Sequence, residues 1–477
     1  MRKRKDAPSR RELLAIVRRL EARNAALEKR IETQDKRIHE LEAALAKARK
    51  NSSTSSKPPS SDIVKPPRPR GAGKRKIGGQ PGHPKHERPP FPPEAVNQSW
   101  IYTPTACPTC DGHGVPTEEP PHRVQQVDLV ASPLWITEHV CPIHKCVGCG
   151  QLFYGPLPPA IEKAGLVGPH LTALVAYLKG VCHASFSTIH TFLRDVLDVP
   201  ISRGQLSKLV TRKVSAALRE PYEELLRRLP TQGRLNVDET GHKENKRRMW
   251  TWCFRAEDFT VLRIAETRSA QVLWDVLGRE FQGVLGCDYF SAYRKYMREC
   301  NILVQFCLAH LIRDLKFLTT LPNTDTAAYG QDVLDAVREL FHVFHRRERM
   351  SQRAFAAALA DRREAVLAAA LVDVPAGAEA QNLANRFRLH GNAYFQFITT
   401  PGVEPTNNLA EQAFRFVMID RHITQGTRSP HGRAWCERIW TVLATCAQQG
   451  RSAFHFLCDA IEAHFTGQPP PTLVRTP

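Results

Sequence analysis

RLNVDETGHKENKRRMWTWCF, residues 234–254, is the stretch from which the rest of the chain can be read. Leu235 and Val237 fall on one side of a period-2 segment, and Asn236, Asp238 and Thr240 on the other. This is a strand pattern that points Asp238 and Glu239 to opposite sides. A polar turn follows, then a second strand in which Trp250 and Trp252 share a face. A carboxylate beside an apolar run is costly unless a positive side chain or a metal lies against it, so Asp238 is a site candidate.

Two more acids stand in comparable places. The short apolar run Gly283-Val284-Leu285-Gly286-Cys287 has the length of a buried strand and closes on Asp288, just before a helical pattern at 289–297. Sheets of mixed α/β proteins place their chemistry at such strand ends. Glu411 lies in Thr406-Asn407-Asn408-Leu409-Ala410-Glu411, where an Asn-rich cap opens a helix. Each acid alone is as well explained by a turn or cap. Asn408 and Glu411 are spaced like a capping box, and Arg415 lies four residues on to pair with Glu411. Together, two Asp and one Glu from three distant elements suit a pair of divalent cations for in-line phosphoryl chemistry.

The surrounding pattern supplies a fold. Strands at 235–240, 249–254 and 260–264 form a meander. A helix at 269–280, the strand ending at Asp288, a further helix, a strand at 303–307 and a helix from His310 follow. The order β-β-β-α-β-α-β-α is that of an RNase H-like core, whose first and fourth strands are neighbours, so Asp238 and Asp288 should meet. Residues 325–395 are rich in Ala, Arg and Leu and read as an all-α insertion. A basic segment with Arg415, Arg421, His422, Arg428 and Arg433 precedes a final helical stretch from Trp435.

Charge is unevenly placed along the 477 residues. The net charge is +19, and residues 1–100 hold 25 Lys and Arg against 11 Asp and Glu. That front end is the footprint of a polyanion binder, nucleic acid rather than membrane. No apolar run is long enough to span a bilayer, and no apolar stretch follows the basic start, so a cytoplasmic, nucleoid-associated protein is expected. Thirteen cysteines, odd in number and mostly scattered, fit reduced thiols and a metal site better than a disulfide frame.

The front end divides into four parts. Leu13, Leu20, Leu27, Gln34 and Leu41 recur every seven residues, with Val17, Asn24, Ile31, Ile38 and Leu45 offset by four, which predicts a parallel coiled coil and a homodimer or higher assembly. Residues 51–98 are a Ser-, Pro- and Gly-rich basic linker, in which Lys74, Arg75 and Lys76 are candidate phosphate contacts. Cys107 and Cys110, then Cys146 and Cys149, form two CxxC knuckles around a strand-like interval, the spacing of a structural Zn²⁺ ribbon; Cys141 and His144 are alternative ligands. Two helical patterns across a Val199-Pro200 break, the second capped by Ser202, have the form either of a helix-turn-helix, with Arg203, Lys208, Arg212 and Lys213 available to DNA, or of a helical hairpin that does not touch it.

Taken together, these motifs resemble a bacterial transposase of the insertion-sequence-66 family, in the DDE superfamily. The resemblance runs through the zipper-like start, NSSTSSKPPSSD, GGQPGHP, the CxxC pairs, VDETG, CDYFSAY, CLAHLIRD and NNLAEQAFR. It implies that Asp238, Asp288 and Glu411 are the catalytic triad, holding two Mg²⁺ or Mn²⁺. Cys107, Cys110, Cys146 and Cys149 would then bind Zn²⁺. The implied activity is cleavage of double-stranded DNA at the transposon ends and transfer of the 3′-OH into target DNA, with accessory proteins of the same element as possible partners. Arg415 is the expected phosphate contact beside the triad. Cys307 and His310 read either as half a metal site or, preferably, as packing near the active centre. The alternatives to strand transfer are an inactive DNA-binding regulator derived from a transposase and a metal-dependent nuclease of the same fold.

The expected architecture is therefore multidomain α+β. Its parts are a coiled coil (1–50), the linker (51–98), a zinc ribbon (99–158), a helix-turn-helix-like segment (159–230), a first part of the RNase H-like core (231–324), the all-α insertion (325–398), the core helix bearing Glu411 (399–425) and a C-terminal helical segment (426–477).

Overall fold

The computed structural model describes residues 10–51, 54, 90–101, 109, 123–127, 130, 133–145, 147–149 and 151–475. The chain forms two compact units, one of residues 67–140 and one of residues 1–66 with 141–477. Cys107, Cys110, Cys146, Lys74, Arg75 and Lys76 lie outside the described residues, while Cys149 is an exposed thiol in a turn.

The heptad segment forms one helix, Arg10–Ala48. Its seam residues stay open to solvent; Leu20, Ile31 and Leu41 are each about half exposed. Its C-terminal end is tied down by Lys47 to Glu379 at 2.8 Å and, just beyond the helix, by Lys50 over the Phe317 ring at 3.6 Å. Two short strands, β1 (Ile143–Lys145) and β2 (Leu152–Tyr154), pair antiparallel.

Helix Phe186–Leu197 ends on Asp198 in the left-handed region (φ 54°), and Arg203–Lys208 then starts from a Ser202/Gln205 capping box. This second helix runs into a π turn at Leu209–Val214 instead of continuing as one regular helix.

The core is a five-stranded sheet of β3 (Arg234–Glu244), β4 (Arg247–Arg255), β5 (Thr260–Ala265), β6 (Val284–Cys287) and β7 (Leu303–Phe306). The strand order is β5-β4-β3-β6-β7. β3, β4 and β5 form an antiparallel meander, while β6 and β7 run parallel to β3. The first and fourth strands of the sheet are thus neighbours, as the element order predicts.

Element ends differ from the sequence reading for local reasons. β3 continues to Glu244 because Asn245 and Lys246 both adopt positive φ (45° and 68°), a two-residue turn whose twist matches the strands. The helix after Asp288 begins only at Ser291, since Asp288 Oδ1 accepts the Phe290 N–H and turns the chain first. The helix expected at 269–280 covers Ala270–Leu277 and stops at Gly278, whose φ of 74° suits glycine. β7 ends at Phe306, and Cys307 caps a helix that already starts at Leu308.

Three long helices, Thr324–His345, Gln352–Leu371 and Ala378–His390, follow the sheet. Their return to β7 is fixed by buried Gln305, which donates to the Phe306 and Tyr394 carbonyls (2.8 and 3.1 Å) and accepts the Phe397 N–H at 2.9 Å. At the opposite edge, helix Pro430–Gln449 lies along β5. Thr445, Thr441 and Glu437 accept the N–H groups of Thr260, Leu262 and Ile264 at 3.2, 2.9 and 2.7 Å. Four helical residues rise about 6 Å and two strand residues about 6.8 Å, so side chains spaced by four track alternate strand N–H groups.

Candidate active site

The register of the sheet brings two of the acids together. Leu235 pairs with Leu285 and Asn236 with Gly286, so two residues further along each chain the register points Asp238 at Asp288. Gly286 is required there, because a Cβ would lie 2.7 Å from Asn236 Nδ2. The space holds an amide chain: Asn236 donates to Asn407 Oδ1 at 2.9 Å, and Asn407 Nδ2 donates to the Val237 carbonyl at 2.8 Å. Asn407, nearly fully buried, stands at the N-cap position of helix Asn408–Ala413, and its amide bonds to β3 hold the start of the Glu411 helix against that strand. The expected Asn408–Glu411 capping box is absent, since no side chain caps this helix. Glu411 faces Arg313 and His310, each at 3.8 Å. Arg415 is exposed and makes no ion pair with it among the described residues.

Asp238 lies within reach of the charges of the other two acids. Burial raises the Asp238 pKa well above the usual carboxylate range, and the charges of Glu239, Asp288 and Glu411 raise it further; only the Glu239 N–H, at 2.9 Å, opposes them. Among the described residues no Lys or Arg pairs with Asp238 or Asp288, and Glu411 Oε1 is buried without a hydrogen-bond partner. Buried like charges without a counter-charge are stabilised by a cation, although among the described residues the three acids are not drawn as close together as Cys307, His310 and Glu411 are.

Glu239 was not singled out by the sequence reading. It is buried on the other side of β3, where Arg268 pairs with it at 2.5 Å and the Tyr293 hydroxyl donates to it. Burial and the Asp288 charge nonetheless push its pKa up to about 7, against the pull of Arg268. The available signal was parity: Glu239 lies in phase with Leu235 and Val237, the apolar face, and so needed a partner. Tyr289, next to Asp288, packs its ring 4.9 Å from Phe306 with the Arg386 guanidinium 4.0 Å above it, tying the acid's loop to the helical insertion.

Cys307 and His310 converge on Glu411. One ligand atom from each of the three lies within 4.8 Å of the others. Burial raises the Cys307 thiol to about 11 and lowers the His310 pKa, so both are uncharged near neutrality.

A profile described as Transposase IS66 family matches residues 164–434, more than half of the chain. The chain belongs to the IS66 transposase family. A second profile, a family of unknown function, matches residues 3–89, and no curated protein matches the chain. The IS66 match spans the sheet, all three acids and the helix-turn-helix-like segment.

Within that segment Arg203, Lys208 and Arg212 are exposed, as a nucleic-acid contact requires. Lys213 is not available, because it donates to the Lys163 and Ala164 carbonyls at 2.7 and 2.9 Å. Arg212, Arg219, His431 and Arg438 line a cleft of about 470 Å³. Of the basic segment after Glu411, Arg421 bonds back to Thr240 and Arg433 to Glu244, which leaves Arg415, His422 and Arg428 exposed. Among the described residues no helix is long and apolar enough to cross a membrane.

Proposed function

We propose that this chain is a DNA transposase whose reaction centre is Asp238, Asp288 and Glu411, on a core of RNase H-like topology. The observation that carries the reading is the uncompensated charge: Asp238, its pKa raised by burial first and then by the charges of Glu239, Asp288 and Glu411, has no basic side chain paired to it or to Asp288 among the described residues. Oxygen-only acids in that state fit two Mg²⁺ or Mn²⁺, hard cations that prefer carboxylate ligands. When bound, such ions would activate the attacking oxygen and stabilise charge on the phosphate.

The chain's own residues have separable tasks. Asp238 and Asp288 hold one wall of the site through the sheet register. Asn407 and Asn236 fix the helix that carries Glu411. Arg415, exposed one turn beyond Glu411, contacts a flanking phosphate. Arg203, Lys208 and Arg212 grip DNA on the helical segment, joined by the basic cleft beside Arg212. In the first step water attacks the phosphorus at a transposon end and the 3′ oxygen leaves as a hydroxyl. In the second, that 3′-OH attacks a target phosphodiester and displaces the target's own 3′ oxygen. The open seam of Arg10–Ala48 suits self-association, which would hold two ends in one assembly.

The test is a labelled duplex ending in the element's inverted repeat, incubated with the purified protein and Mg²⁺ or Mn²⁺. Cation-dependent nicking and joining are expected, lost in Asp238→Ala, Asp288→Ala and Glu411→Ala while DNA binding persists. A wild-type protein that binds this duplex yet never cuts it, even with the element's other proteins present, would instead identify a regulator.

A further inference from the structure

Cys307 and His310 stand at the N-cap and third position of helix Leu308–Leu318. In a capping box these two positions turn their side chains toward the same first turn of the helix. Here a thiol and an imidazole occupy them. The start of the Glu411 helix is held against this turn by two bonds, Leu308 N–H to the Pro405 carbonyl (2.9 Å) and Asn407 N–H to Cys307 Sγ (3.1 Å). A sulfur, a ring nitrogen and a carboxylate oxygen thereby converge from two chain segments about a hundred residues apart.

Two of the converging atoms are unsatisfied. His310 Nδ1 and Glu411 Oε1 are both buried with no hydrogen-bond partner, 3.8 Å apart, and His310 is only 9 % exposed. Buried polar groups are rarely left so, and leaving them costs about 1–3 kcal/mol apiece. Arg313 serves the far side of the pair, with a guanidinium N–H 3.3 Å from His310 Nε2 and another nitrogen 3.8 Å from Glu411 Oε2. The near side is unclaimed.

We propose that Cys307 Sγ, His310 Nδ1 and Glu411 Oε1 form a binding site for a thiophilic divalent cation of the Zn²⁺ class, separate from the acidic pair Asp238 and Asp288 but sharing Glu411 with it. The donor set selects the ion: thiolate and imidazole suit Zn²⁺ or Co²⁺, whereas Mg²⁺ takes oxygen ligands. Three protein ligands leave a fourth position for water or a phosphate oxygen. Binding releases the Cys307 proton to solvent. It also moves the ring proton from Nδ1 to Nε2, so Arg313 gives up Nε2 and turns to Glu411 Oε2. One oxygen of Glu411 is then committed to the new cation, which makes the third acid of the proposed reaction centre responsive to thiophilic metal. The site shares Glu411 with that reading, yet its occupancy can be measured without any catalysis.

The experiment is a Co²⁺ titration of the full-length, reduced, metal-stripped protein, following thiolate-to-cobalt charge-transfer absorption and bound equivalents. Whatever the CxxC cysteines take up, Cys307→Ser is expected to bind one equivalent fewer than wild type, and His310→Gln to weaken that equivalent at least about tenfold. Arg313→Gln, which removes a nearby positive charge but no ligand, should retain it or bind it more tightly. Asp238→Asn should also retain it, so a failed catalytic assignment would leave this result standing. The proposal is overturned if Cys307→Ser and His310→Gln both bind as wild type does, or if Arg313→Gln loses the equivalent. Should Cys307→Ser fail to fold, His310→Gln and Arg313→Gln decide between the same two answers.

Discussion

Asp238 and Glu239 are consecutive residues on one strand, and the two faces of β3 treat them in opposite ways. Glu239 points to the closed side and is met by a guanidinium and a phenol. Asp238 points to the side where the charges of Asp288 and Glu411 reach it, and among the described residues it is met only by a backbone N–H. Both carboxyls are pushed above their usual range by burial, so burial alone does not mark a reaction centre. The distinguishing feature is whether the fold supplies a counter-charge. Where it does, the acid holds the structure together; where it does not, the carboxylate stays free for the role proposed above.

Asp238→Asn pushes that comparison hardest. It should lower cation-dependent cleavage by about a thousandfold, on the order of 4 kcal/mol of barrier. In chelator the same variant should unfold at higher denaturant, by about 1 kcal/mol, because a repelled charge has been removed. A loss of both activity and stability would place Asp238 with Glu239 as a structural acid.

Glu239→Ala should do the reverse. It strands the buried Tyr293 hydroxyl and the Arg268 guanidinium, and should destabilise by about 3 kcal/mol, with Arg268 partly rescued by solvent. Glu239→Gln keeps an acceptor and should recover most of that stability in equilibrium denaturation. If alanine costs no more than glutamine, the pairing is not what fixes this face.

His242 gives the smallest effect, on the Asp238 face four residues along. It is buried against Thr427 and Trp440, and burial, with Arg421 and Arg433 nearby, lowers its pKa to about 4 from an ordinary 6.5. The folded state therefore binds fewer protons than the unfolded chain between those values. The stability associated with neutral His242 is complete above pH 6.5 and is lost as pH falls toward 4. Between pH 7 and 5 the loss should be about 2 kcal/mol, read as the difference in pH dependence between wild type and His242→Gln.

Much of the sheet could be read from the chain because its information is local. Alternation in 235–240, the apolar run before Asp288 and the spacing of the strands locate the strands, and the RNase H-like order of the elements then makes β3 and β6 neighbours, which sets Asp238 toward Asp288. The placement of Glu411 was less legible. Its helix is held by Asn407 and Asn236, an amide pair 171 residues apart whose space depends on Gly286. The partners of Glu239 were hidden for a similar reason, since Arg268 sits in a loop and Tyr293 on a helix with no pattern linking them to β3. Cys307 and His310 carried a visible spacing. Their third member, Glu411, is supplied by a segment beyond the helical insertion, and only the fold brings it there.

One consequence lies at the far edge of the sheet. The family match ends at residue 434, while Glu437, Thr441 and Thr445, which occupy the outward N–H groups of β5, lie just past it. A fragment trimmed to the matched region would keep all three acids but leave β5 as an open template for strand addition, able to recruit another copy of itself. The residues that cover this edge strand are therefore not those that define its family.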